Sequence, residues 1–188
     1  MSSQSKPKRP SSTLAALLEE KPKRGRPPRA VSRQNVYVAL SSEQKELISE
    51  LAAQLPEGLS RADVSDLAIS ILSIRFEALR QAVSDREREM PEGITDLESL
   101  YLLWDLPLPQ VDNEEEPKWT SIRVSPQQAI ELGRVHGTLN AVFGANRSQT
   151  FSLALVLLTT FMQDEILYDP ANLTSLNALR KRMRENYL

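Results

Sequence analysis

The sequence contains no cysteine and a single histidine, His136, among its 188 residues. Without cysteine the chain cannot build a disulfide scaffold, a zinc ribbon, an iron-sulfur cluster or a thiol nucleophile. One imidazole cannot complete the usual zinc ligand sets, and no catalytic triad pattern accompanies it. We therefore expect no catalytic residue, no metal site and no cofactor, and a protein that is not an enzyme.

Long hydrophobic runs are also missing. The longest, from Phe151 to Met162, contains three hydroxyl side chains and is shorter than the roughly 20 residues that a membrane-spanning helix needs. The N-terminus shows no signal-peptide pattern, because its basic residues are followed by only a few apolar ones and then by more charge. We expect a cytoplasmic protein with no membrane partner.

Charge is unevenly distributed along the chain. Residues 1–34 carry nine Lys or Arg and two Glu, for a net charge of +7, whereas the remaining residues carry a net charge of −9. A basic arm rich in proline and serine, attached to an acidic body, is typical of a tail that binds a polyanion such as nucleic acid. The alternative is an unstructured, solvated terminus.

One motif in this arm is more specific. The residues Lys23-Arg24-Gly25-Arg26-Pro27, followed by Pro28 and Arg29, resemble an AT-hook. An extended Arg-Gly-Arg segment fits a narrow A·T minor groove, where guanidinium groups meet an enhanced negative potential. The predicted DNA contacts of the arm are Lys23, Arg24, Gly25, Arg26, Pro27 and Arg29.

Two segments of the sequence read alike, each as one strand followed by two helices. In the first, Val36, Val38 and Leu40 alternate with more exposed positions, which is the period-two pattern of a half-buried strand. Ser41 and Gln44 then form a capping-box pattern that predicts the start of a helix. The second segment, from Trp119 onward, repeats this order with about one additional helical turn.

A single short strand needs a partner for its backbone hydrogen bonds. A strand followed by two helices within about fifty residues resembles the ribbon-helix-helix family, typified by the MetJ and Arc repressors. The resemblance covers residues 33–83 and, less closely, 118–167. It implies a mainly α fold with tandem ribbon-helix-helix units, whose short strands pair into an antiparallel ribbon.

In that family the ribbon enters the DNA major groove, where its outward side chains read base edges. The resemblance implies that the backbone amides at the start of each second helix hold a phosphate. By this resemblance, the residues expected to read base edges are Asn35, Tyr37 and Ala39, with Arg33 at the edge, in the first strand. In the second strand they are Trp119, Ser121 and Arg123. The phosphate-contacting residues it implies are Ser60, Arg61, Arg147 and Ser148. Tyr37 and Trp119 are bulky for a ribbon, so a protein contact, or partial core packing of Trp119, stays an alternative.

The sequence divides into five regions. We predict a disordered basic arm over 1–32, the two units over 33–83 and 118–167, an acidic connector with a short helix over 84–117, and a C-terminal helix within 168–188. The connector is long enough for the two strands to pair within one chain, as a pseudo-dimer, or between two chains, as a homodimer. It is read as a spacer, with a regulatory or protein-binding role as the alternative.

These patterns lead to one main hypothesis and one alternative. The main hypothesis is a sequence-specific protein that binds double-stranded DNA, reads the major groove with its ribbon and contacts A·T-rich minor groove with its arm. By resemblance this is a prokaryotic transcriptional regulator, such as a repressor, or a plasmid or conjugation accessory factor, associated with the nucleoid. The alternative is a protein-interaction module, an antitoxin or assembly adaptor, with weak or autoregulatory DNA binding.

Overall fold

Two strands and six helices make up the part of the chain that the structure, a computed structural model, describes: residues 32–84, 93–109, 116–168 and 175–188. In chain order they are β1 (Gln34–Leu40), α1 (Ser42–Gln54), α2 (Arg61–Ser84), α3 (Leu97–Leu103), β2 (Lys118–Val124), α4 (Pro126–Phe143), α5 (Arg147–Tyr168) and α6 (Leu176–Tyr187). The protein is mainly helical with one two-stranded antiparallel sheet. The AT-hook-like motif lies outside the described residues.

The two strands pair with each other within the single chain. They run antiparallel over their full length, from Gln34 opposite Val124 to Leu40 opposite Lys118. Val38 and Leu40 of β1 and Ile122 of β2 are buried, as the alternation of apolar residues predicts. The strand pairing that the sequence left open between one chain and two is therefore satisfied inside one chain.

Local sequence signals begin the first helix of each unit. The Ser41 hydroxyl accepts from the Gln44 amide, and the Gln44 side chain accepts from the Ser41 amide, so the predicted capping box is confirmed. Pro126 occupies the first turn of α4, and Gly144, with φ of 66°, ends that helix in a left-handed conformation. Helix α4 has 18 residues and α1 has 13, which accounts for the extra turn in the second segment.

The second helix of each unit forms the centre of the core. Helix α2 is buried without interruption from Val64 to Leu72, and α5 buries Phe151 and Phe161. Such nearly all-round burial is expected for a helix that is enclosed by others. Helix α2 packs against α4, α5 and α6. It therefore links both strand-helix-helix segments to the C-terminal helix. The described residues together form one compact unit.

The connector contributes to this core, which corrects its interpretation as a plain spacer. Helix α3 begins after Asp96, whose carboxylate accepts from the Ser99 amide at 2.8 Å. Leu100, Tyr101 and Leu106 of the connector are buried, and burial raises the pKa of Tyr101 to about 12. Only part of the connector can therefore act as a solvated linker.

The C-terminal helix α6 also packs onto the core. Leu179 and Met183 are fully buried, as their spacing predicts. Tyr187 stacks on one side of the Arg75 guanidinium, 4.5 Å from the ring centroid, and Trp104 lies on another side at 5.4 Å. These cation–π contacts join α6 and the connector to α2.

Candidate nucleic-acid interface

One face of the two-stranded ribbon points away from the core. We call it the ribbon face. Its members are the six outward residues predicted from the sequence, which the structure brings together as the cross-strand pairs Asn35–Arg123, Tyr37–Ser121 and Ala39–Trp119. All are exposed except Ala39, which is half-buried. The strand alternation thus gathers every predicted reading residue of the strands on one surface.

Two aromatic side chains dominate this surface. Trp119 is 75% exposed and Tyr37 is 61% exposed, so partial core packing of Trp119 does not occur. They lie on opposite strands, and Tyr37 is adjacent to the Ala39–Trp119 pair. Large aromatic side chains exposed to water on the ribbon are available to contact a partner.

At the end of the ribbon beside α2, acidic side chains occupy the helix N-terminus. We call this the α2 end. The Asp63 carboxylate accepts from both the amide and the hydroxyl of Ser60, at 2.7 Å each. The amide of Ser60, which was predicted to hold a phosphate, already donates to a carboxylate. That prediction therefore does not fit the observed geometry.

Arg33 is part of the same acidic arrangement. Its guanidinium forms ion pairs with Asp63 and, at 3.1 Å, with Asp66, and it donates to the Ala62 carbonyl at 2.7 Å. Its side chain is only 9% exposed. The prediction that Arg33 contacts DNA is therefore corrected, because this side chain is engaged inside the protein.

Asp66 connects the α2 end to the second strand. Its side chain is 2% exposed, and one carboxylate oxygen accepts from the Ser125 amide at 2.9 Å. Burial raises the pKa of Asp66, while the Ser125 hydrogen bond and the charges of Arg33 and Arg180 act in the opposite direction. The carboxylate holds β2 and α2 together.

At the opposite end of the ribbon, beside α5, the helix N-terminus carries no acid. We call this the α5 end. The helix begins at Arg147, and Asn146 is its cap. Asn146 and Gln149 exchange hydrogen bonds between side chain and amide, at 2.9 Å in each direction. The helix dipole and Arg147 therefore place positive charge at this helix N-terminus.

Ser148 ties this helix to the ribbon. Its hydroxyl accepts from the Ala39 amide at 2.8 Å. Arg147 is exposed, as is Arg61, which occupies the matching first position of α2. The Arg61 guanidinium, however, donates to the Lys45 carbonyl at 2.9 Å, so these two arginines have different surroundings.

A groove of about 720 Å³ runs along the α5 end, and Tyr37, Trp119, His136, Arg147 and Glu43 are among the residues that line it. Burial and the charge of Arg147 lower the pKa of His136. The groove therefore combines aromatic surface, an arginine and an imidazole that is neutral at physiological pH.

The sequence reading missed Asp63, Asp66 and Arg180, which form the charged network at the α2 end. The spacing Ser60-x-x-Asp63 is a capping pattern and would have predicted the first of them. Asp66 and Arg180 carried no such signal, because their proximity depends on the packing of α6 against α2.

Comparisons with protein-family models, curated proteins and solved structures find no match to this chain. Among the described residues no cluster of three or more potential metal ligands occurs. No helix in that part of the chain is long and apolar enough to cross a membrane.

Proposed function

We propose that the protein binds double-stranded DNA, with its two strand-helix-helix segments acting as tandem ribbon-helix-helix units. The observation that carries the proposal is the ribbon face. Six residues selected from the sequence as base-reading candidates form three adjacent cross-strand pairs on one exposed surface. A two-stranded ribbon has the dimensions to enter the major groove, and here a single chain supplies both strands.

The side chains of the ribbon face suit base edges of different kinds. Arg123 has the donors to bind guanine, and Asn35, directly across from it, has the donor and acceptor pair that suits adenine. At the other end of the face, Ala39 offers only a methyl group for contact with thymine. Because the cross-strand pairs differ, we propose that one chain reads an asymmetric site.

Phosphate contact is proposed at the α5 end. The exposed Arg147 and the backbone amide of Ser148 lie in the first turn of a helix whose N-terminus has no acidic residue. Ser60 and Arg33 are left out of the interface because they are bound to Asp63. Arg61 is retained as a secondary contact, since it is exposed but partly engaged with α1.

The basic arm is proposed to add contacts with A·T-rich minor groove through Lys23, Arg24, Gly25, Arg26, Pro27 and Arg29. These contacts would release counterions from the DNA, so they would add affinity at low salt. They would not select the major-groove sequence. Together the two elements fit a prokaryotic transcriptional regulator, or an accessory factor of plasmid or conjugative DNA, associated with the nucleoid. The ribbon would supply the specificity and the arm would supply affinity.

The test is a footprint on fragments selected from the replicon that encodes the protein. The full chain is compared with a chain beginning at residue 32, which keeps Arg33 and the compact unit. We expect both chains to protect the same short site, with weaker affinity for the shorter one. If only the full chain binds, and does so across all A·T-rich DNA, the ribbon does not read sequence.

A second candidate function, a protein-interaction module, is favoured by the exposure of Tyr37 and Trp119. Aromatic side chains are common anchors in protein interfaces. The net charge of −9 outside residues 1–34 also suits a basic protein partner better than DNA. Under this alternative, Tyr37→Ala and Trp119→Ala would abolish a protein complex without lowering DNA affinity. A loss confined to DNA affinity would exclude it.

A further inference from the structure

A second, separate groove lies where α2, α4 and α6 meet. Its volume is about 390 Å³, and Ser70, Gln128, Glu131, Arg180 and Arg184 are among the residues that line it. This size falls within the range of roughly 300–1,000 Å³ that small-molecule sites occupy. Its lining is rich in charged and amide side chains, so an apolar ligand would not suit it.

The groove includes a buried amide whose oxygen lacks a partner. Gln128 is only 4% exposed, and its Oε1 accepts no hydrogen bond from any residue in the described part of the chain. Buried side-chain acceptors in folded proteins normally have a donor. An N–H group placed in this groove would supply one.

Gln128 differs in this respect from its counterpart in the first unit. Both residues lie three positions after the serine that precedes the first helix, Ser125 or Ser41. Gln44 is fully engaged, because its Nε2 donates to Ser152 at 2.8 Å and its Oε1 accepts from the Ser41 amide. The unsatisfied amide is therefore not a general feature of this helix start.

The α6 side of the groove is basic. It contains Arg180, Lys181 and Arg184. The Arg180 Nε donates to the Ser70 hydroxyl at 3.2 Å, and Lys181 lies 3.6 Å from Glu185. Burial lowers the pKa of Arg180, the carboxylates of Asp66 and Asp63 raise it, and the exposed Arg184 lowers it by repulsion. A bound anion would relieve that repulsion.

The opposite wall carries one carboxylate, Glu131, which is already paired. It accepts from Ser73 at 2.6 Å and from Arg134 at 3.0 Å. Those donors lower the pKa of Glu131 despite its partial burial. Glu131 therefore has a local cation, Arg134, which it shares with Glu77 at 3.5 Å, and the basic side chains that line the groove lie on α6.

We propose that this groove binds a small organic anion that also carries an N–H donor. The phosphate or carboxylate would lie against Arg180 and Arg184, since guanidinium groups recognise both with paired hydrogen bonds. The N–H donor would reach Oε1 of Gln128. The proposal concerns a site remote from the ribbon face and does not depend on DNA binding.

Calorimetric titration of the full chain, without DNA, tests the proposal. The probes distinguish the contribution of the anion from that of the N–H donor. Adenosine 5′-monophosphate combines a phosphate with an amine, and glutamine combines a carboxylate with an amide. Ribose 5-phosphate keeps the anion without the N–H donor, and adenosine keeps the donor without the anion. We expect at least one two-function probe to bind saturably with a Kd below about 1 mM. If adenosine 5′-monophosphate binds, ribose 5-phosphate and adenosine should each bind at least about tenfold more weakly.

Two variants assign the binding to this groove. Arg184→Gln should weaken binding about fivefold or more, whereas Arg182→Gln, on the same helix but outside the groove, should not. Gln128→Leu should abolish the preference for the N–H donor without lowering the melting temperature, because it removes an acceptor that has no donor. Because Arg184 is exposed, its variant keeps the test valid even if Gln128→Leu does not fold.

No saturable binding of either two-function probe up to about 10 mM would overturn the proposal. Equal losses in the Arg182 and Arg184 variants would also overturn it, since they would indicate only a general attraction of anions to α6. Preference for adenosine 5′-monophosphate over glutamine would assign the anion as a phosphate, and the reverse preference would assign it as a carboxylate.

Discussion

The two ends of the ribbon have the same architecture, but the helix N-terminus is held by an acid at one end and by neutral amide side chains at the other. At each end one strand leads into its own helix hairpin, and the second helix of the other hairpin begins beside it. At the α2 end that N-terminus is occupied by Asp63, with Arg33 and Asp66 beside it. At the α5 end it is capped by the neutral Asn146, and Arg147 is exposed to solvent.

This difference indicates how one chain can use one end of the ribbon for stability and leave the other for binding. The α2 end holds the protein together, since Asp66 bonds both Arg33 and the backbone of Ser125. We propose that the α5 end keeps its helix N-terminus for a phosphate. In a symmetric homodimer both ends would have to do both tasks, whereas an intrachain ribbon allows each end to specialise.

The largest expected effect comes from breaking the α2 end. Asp66→Ala should lower the free energy of unfolding by about 3 to 5 kcal/mol, because it removes one acceptor from a buried guanidinium and leaves the Ser125 amide without a partner. Urea-induced unfolding measures the change. Ser152→Ala alters the matching position of α5, where the lost hydroxyl accepts from Gln44 and donates to the Ser148 carbonyl. Because neither bond involves a charge, that variant should cost only about 1 to 2 kcal/mol.

Equal destabilisation by the Asp66 and Ser152 variants would show that the two ends do not differ in structural importance.

The second prediction concerns the ribbon face itself. Arg123→Ala should reduce discrimination at one base pair by about 1 to 3 kcal/mol, because a guanidinium that binds a guanine edge is lost. Competition between the selected site and single-base variants of it measures the change. Arg134→Ala, which removes the same charge from an exposed position of α4 paired with Glu131, is the control. A uniform loss of affinity for every sequence would contradict a reading role for Arg123.

The third prediction compares the first residues of the two second helices. Arg147→Ala should weaken binding to all sequences and reduce the slope of log affinity against log salt by about one, the effect of losing one phosphate contact. Arg61→Ala should change the slope less, because Arg61 also donates to the Lys45 carbonyl. Titrations at several salt concentrations measure both. The proposed difference between the ends fails if Arg61 has the larger effect.

The smallest effect involves His136 at the α5 end. Its lowered pKa means that the folded protein takes up a proton less readily than the unfolded chain. Its contribution to stability is therefore fully present above the ordinary pKa of about 6.5 and is lost as the pH falls below it. His136→Gln should make the fall in melting temperature between about pH 7 and pH 5 shallower. An unchanged slope would contradict this origin of the pH dependence.

Much of the fold could be predicted from local signals. The alternation of Val36, Val38 and Leu40 identified the buried face of β1, and hence the outward residues. The pair Ser41 and Gln44 located the start of α1. These features could be predicted because each depends on residues only a few positions apart.

The remaining features depend on residues far apart in the chain. Arg33 is basic and lies at the edge of a strand, so the sequence pattern indicated a DNA contact. Its actual partners, Asp63 and Asp66, follow about thirty positions later. The burial of Tyr101 likewise depends on how the connector packs. Such contacts leave no periodic signal in the sequence.

The most direct test of the central claim is a selection of bound sequences from random duplexes, using the full chain and the variant Asn35→Ala/Arg123→Ala. These two residues face each other at one end of the ribbon face. We predict that the wild-type chain enriches a short asymmetric motif and that the variant loses the bases at one side of it while keeping the rest. Enrichment of the same motif by both chains, or of A·T-rich DNA alone, would contradict sequence reading by the ribbon.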